Sequence, residues 1–115
     1  MEKEILEEIV NGIVKEAEKI LGQIVIAKIK EIPEIKVEGE KITISKADGK
    51  LIIEKIVSTF ETIIGPAIKS IVIAGVVPVF KKHPEKFEEF KKELPRWIFE
   101  SPDIKVLEMA GITKD

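Results

Sequence analysis

The side chains able to do chemistry are few. There is one histidine, His83, in Lys81-Lys82-His83-Pro84, with four serines, three aspartates and no cysteine. A nucleophilic hydrolase or transferase needs a nucleophile held beside an oriented base. None of Ser45, Ser58, Ser70 or Ser101 stands in a nucleophile-elbow context, and His83 sits before a proline at a helix start, where a surface or capping role is expected. No catalytic residue is assigned.

Metal chemistry has as little to build on. Zinc or iron wants two or more His or Cys ligands, and Asp48, Asp103 and Asp115 lack the spacing of a calcium loop. Gly65-Pro66 and Gly75 are isolated from any phosphate-loop or dinucleotide pattern. The expectation is therefore no metal and no cofactor.

Charge excludes other partners. With 19 basic and 21 acidic side chains interspersed, the formal net charge of −2 creates no field that would draw in nucleic acid or an anionic membrane. Arg96 beside Trp97 is too little for base stacking. The absence of cysteine makes a cytoplasmic location the default, and the acidic start Met1-Glu2-Lys3-Glu4 does not resemble an export signal. Eighteen Glu and eighteen Lys against one Arg, one Asn and one Gln, with 22 Ile, follow the pattern reported for hyperthermophile proteins. An AT-rich genome would also favour Ile and Lys.

What positions these residues is legible from period and punctuation. Residues 2–21 read as an amphipathic helix with Ile5, Leu6, Ile9, Val10, Ile13, Val14, Ala17, Ile20 and Leu21 on its apolar stripe, closed by Gly22. Gly12 interrupts that stripe. Either another backbone approaches closely there or the glycine is merely tolerated, and the second is the more economical reading.

From Gln23 to Ser45 the period alternates. Ile24-Val25-Ile26-Ala27 reads as a strand buried on both faces, and two shorter strands follow around Ile35-Val37 and Ile42-Ile44. A two-residue loop at Gly39-Glu40 predicts Glu38 opposite Lys41, Val37 opposite Ile42 and Ile35 opposite Ile44, with the four apolar residues on one face. The three together predict an antiparallel meander.

Beyond it the chain reads as helical. Asp48 is the expected N-cap of a helix carrying Leu51, Ile52, Ile56, Val57, Phe60, Ile63 and Ile64, ended by Gly65-Pro66. Thr62 to Phe80 has only Lys69 charged and approaches the ~20 residues that span a bilayer. Gly65, Pro66, Gly75 and Pro78 interrupt it, so a buried core element is expected rather than a membrane span. The β-branched run of residues 70–77 favours a strand by propensity, whereas Gly75 and Pro78 do not suit a central one. The balance favours a buried helix from Pro66 to about Val77, kinked or stopped at Pro78. A helix opening at Pro84 and ending at Pro95, a connector over residues 96–100 and a last helix from Ser101-Pro102 to Ala110, closed by Gly111, complete the chain.

The expected fold is thus a single α+β domain over residues 1–115: an N-terminal amphipathic helix, a three-stranded antiparallel meander, and a helical C-terminal half packed on one sheet face. Five of the six aromatics, Phe80, Phe87, Phe90, Trp97 and Phe99, fall in one short span. Their simplest role is to close the core, and the sharper one is a partner-binding surface. The leading functional reading is a non-enzymatic interaction or regulatory module, self-associating as a homodimer or binding another protein. A carrier or sensor of a small apolar ligand comes second, and an enzyme working with carboxylates alone comes last, with no motif behind it.

Overall fold

In the computed structural model, which describes residues 1–110, the chain opens with helix α1 (Lys3–Leu21). Ile5, Leu6, Ile9, Val10, Ile13, Val14 and Ala17 are buried along it at the expected spacing. Gly22, at φ +70°, donates its N–H to the Glu18 carbonyl and turns the chain in a conformation that would strain any side chain.

The predicted first strand is a helix. Ile24–Ile29 forms α2, and the sheet has two strands instead of three. Val25, Ile29 and Ile32 are buried at spacings of four and three, while Ile24 is 44% exposed. A strand buried on both faces needs layers above and below it, and this segment is covered from one side only. Propensity for β structure is largely a preference for a pleated, half-buried surface, so one-sided packing against α1 overrides it.

Strands β1 (Ile35–Glu38) and β2 (Lys41–Ile44) pair antiparallel in the predicted register, Ile35 with Ile44, Val37 with Ile42 and Glu38 with Lys41. Gly39 takes φ +65° at the first loop position, as a two-residue hairpin of this kind requires. Ile35, Ile42 and Ile44 are buried, Val37 is half-buried, and Lys36, Glu38 and Lys41 face water. Glu7 of α1 accepts the Ile44 N–H at 3.0 Å and so caps the outer edge of β2.

Helix α3 (Gly49–Ile64) begins where Asp48 Oδ1 accepts the Leu51 N–H at 3.1 Å. It buries Ile52, Ile53, Ile56, Val57 and Phe60. Helix α4 (Ala67–Lys82) contains the segment that propensity would have made a strand, and it continues through Pro78 for another turn. Pro78 and Ala74, whose carbonyl lacks its usual partner, are both exposed, so water can take the lost bond. On the opposite side Val79 and Phe80 are buried, which holds the last turn in place. A 3₁₀ turn (Pro84–Lys86) and helices α5 (Phe87–Glu93), α6 (Arg96–Phe99) and α7 (Pro102–Met109) follow. The expected connector is thus a one-turn helix, and the expected closure at Gly111 lies outside the described residues.

The helical half does not rest on the sheet as expected. The hairpin lies against α1 and α2, and α4 packs chiefly along α1. A hairpin with four residues per strand offers too little apolar surface to cover a 16-residue helix with eight buried positions. The two helices run antiparallel, with Gly12 against Gly75 and Glu8 beside Lys82. A Cβ on Gly12 would stand 2.5 Å from the Gly75 carbonyl oxygen, and one on Gly75 would stand 2.6 Å from the Ile13 Cα. Close backbone approach, the less economical reading of Gly12, is the reason for the glycine.

Candidate functional site

Four of the five aromatics singled out by their clustering, Phe80, Phe87, Phe90 and Phe99, are brought together, and three of the five face inward. Phe80, Phe87 and Phe90 are buried, and Trp97 and Phe99 are half-buried. Phe80 is the hub, stacked on Phe90 with centroids 4.7 Å apart and on Phe99 at 5.7 Å, while Phe87 stands edge-on to Phe80 and Phe99. Offset stacks and edge-to-face contacts suit the ring quadrupole and add to the burial itself. This is core, and a partner could reach only the outer edges of Trp97 and Phe99. The Lys69 ammonium lies 5.1 Å above the Trp97 ring, and the indole Nε1 is buried with no acceptor among the described residues.

Apolar side chains are left open at Ile24 of α2 and at Val106 and Met109 of α7, and a longer uncharged surface lies on the outer side of α4. Ala67, Ser70, Ala74 and Pro78 form an exposed line without a charge. Beside it a recess of about 290 Å³ is walled by Ile20, Ile64 and Ile71, with Glu16 at its rim. Ile20 is 66% exposed and Ile63 is 38% exposed. Both were expected on buried stripes. Each stands in the last turn before a chain-reversing glycine, Gly22 or Gly65, where the helix runs past the core it covers. An isoleucine two residues ahead of such a glycine is the available signal.

A second hollow, of about 840 Å³, opens between α1, the hairpin loop and α4. Its floor is Gly12, Gly75 and Ile42, and its walls carry both charge signs. Two of its carboxylates are engaged in the fold: Glu7 on the Ile44 N–H, and Glu8 on Lys82 at 3.2 Å and on the His83 Nε2 at 3.4 Å. His83 also has its Nδ1 3.8 Å from Glu85, so the single histidine bridges α1 to the 3₁₀ turn.

Ion pairs tie other helices together. Lys86 reaches Glu2, which raises the Lys86 pKa and lowers that of Glu2, and Lys91 reaches Glu108 at 2.9 Å, which raises the Lys91 pKa. In each the hydrogen bond between the partners is the main cause. Among the described residues no group of three or more His, Asp or Glu side chains is placed to hold a metal ion, and no helix is long and apolar enough to cross a membrane. Compared with models of known protein families, with curated proteins and with solved structures, the chain matches none.

Proposed function

We propose that this chain is a small non-enzymatic interaction module that self-associates as a homodimer. The observation that carries the reading is the uncharged outer face of α4 with its recess and the exposed Ile20 and Ile63. Most of the remaining exposed helix surface is Glu and Lys, many in ion pairs, so an uncharged strip of this length marks a contact surface. Its composition and the pairs that link distant helices also suit a protein working at high temperature. Size-exclusion chromatography with light scattering over a concentration series tests the assembly. A dimer that dissociates on dilution is the expected result, and a monomer at every concentration overturns it.

The recess itself favours a second reading, that of a carrier for a small apolar ligand. At about 290 Å³ it stands at the lower end of ligand-site sizes, and its walls are nearly all hydrocarbon. Native mass spectrometry of the purified protein separates the two readings. A co-purifying small molecule lost on Ile71→Lys substitution supports the carrier, and its absence leaves the interaction module alone.

A further inference from the structure

We infer that two copies of this chain join edge to edge along β1, with Val37 on the two-fold axis, to make one continuous four-stranded antiparallel sheet. The inference rests on the homodimer reading but places the two-fold contact on the β1 edge, which leaves the apolar face of α4 open in the dimer for another protein.

The backbone supplies the first half of the argument. Ser45 donates its N–H to the Glu34 carbonyl at 2.9 Å, which makes residues 34 and 45 a hydrogen-bonded pair. Antiparallel ladders alternate, so 36 with 43 and 38 with 41 are also bonded, and Ile35 and Val37 turn their backbone groups away from β2. Two contacts agree with this parity. Ile44, opposite Ile35, sends its N–H outward to Glu7, and Ile35 sends its own outward to the Ile32 carbonyl. The N–H and C=O of Val37 then point out of the β1 edge with no hydrogen-bond partner among the described residues. Ile42 of β2 likewise turns its N–H and C=O outward, but the two edges differ in cover: α1 lies beside β2, with Glu7 on the Ile44 N–H, whereas no described element caps Val37 on the β1 side.

Charge supplies the second half. Charged residues on an edge strand normally discourage pairing. Here Lys36 and Glu38 flank Val37 with opposite signs, and both are exposed. An antiparallel pairing centred on Val37 lets its N–H and C=O bond reciprocally with those of the second copy. It also sets Lys36 of each copy opposite Glu38 of the other. Because Glu38 already faces Lys41 across the hairpin, it would stand between two lysines on the outer face. Other registers fail. Centring on Lys36 or Glu38 opposes like charges, centring on Gly39 opposes Glu38 to Glu40, and centring on Ile35 calls on an N–H already given to the Ile32 carbonyl. The pattern selects one register and one partner, a second copy.

The test compares variants in a light-scattering dilution series, with hydrogen exchange at the Val37 amide read alongside. Lys36 is exposed, so Lys36→Glu leaves the fold intact, which circular dichroism checks. It should raise the dimer dissociation constant at least tenfold. The triple variant Lys36→Glu, Glu38→Lys, Lys41→Glu rebuilds the alternation with signs reversed and should return the constant to within about threefold of wild type. The Val37 amide should become protected only at concentrations where the dimer forms. A dimer indifferent to Lys36→Glu but dissociated by Ala74→Lys overturns the edge pairing and moves the contact to α4, with the homodimer standing. Failure of the triple variant to recover overturns the register. A wild-type chain that stays monomeric removes both the pairing and the homodimer.

Discussion

Helix α4 is held by two contacts built on opposite principles. Along α1 it packs backbone against backbone, with Gly12 and Gly75 leaving no room for a Cβ. At its C-terminal end it is held by rings, Phe80 lying between Phe90 and Phe99. The first contact gains its close approach by leaving side chains out, so many atom pairs meet along the seam at once. The second gains apolar area, since each aromatic buries roughly 150–250 Å². One is intolerant of added atoms and the other of removed ones.

Removing atoms should have the largest effect. Phe80→Ala opens a cavity among three other rings and should cost about 3–5 kcal/mol in a denaturant titration. A loss well below that would mean the ring cluster collapses to fill the space.

Adding atoms should have the next largest, and here the sign is informative. At an unhindered helix position Gly→Ala stabilises by about 1 kcal/mol. At Gly75 and Gly12 the new methyl would meet backbone of the facing helix, so each Ala variant should instead lose about 1–3 kcal/mol. Both methyls demand the same separation of α1 from α4. The double variant should therefore lose less than the sum of the two singles. Stabilisation by either change would show that the seam opens without cost.

The sequence and the structure agree where one physical signal decides. The hairpin register follows from alternation plus a turn that needs glycine, and Asp48 as a cap follows from its own side-chain chemistry. The segments Ile24-Val25-Ile26-Ala27 and Ile71-Val72-Ile73-Ala74 are identical, and their surroundings predict a strand for the first and a helix for the second, yet both are helical. What decides them is the surface each lies against, and four residues carry no record of that. The burial of most of the aromatic cluster has a related reason. Clustering in sequence brings Phe80, Phe87, Phe90 and Phe99 together, but it does not say whether they meet inside or outside. Because α4 continues through Pro78 to Lys82, Phe80 lies on its buried face with Val76 and Val79, and the rings follow it into the core.

Outside both contacts the surface ion pairs should matter least, which can be measured at the hairpin. Lys55 of α3 holds the carboxylate of Glu34, just before β1, with Nζ 2.8 Å and 2.7 Å from the two oxygens. That hydrogen bond, followed by one from backbone, keeps the Glu34 pKa below its ordinary value of 4.5. Folded Glu34 thus gives up its proton more readily than the unfolded chain does. The stabilisation is fully present above pH 4.5 and fades as pH falls through the lower folded value. Lys55→Met should therefore lower the denaturation midpoint slightly near neutral pH, by less than Phe80→Ala or the alanine variants of Gly12 and Gly75. The difference from wild type should shrink below pH 4.5. A gap that stayed constant down the acid limb would assign the effect of Lys55 to the packing of its aliphatic stem on the hairpin, with its charge contributing nothing.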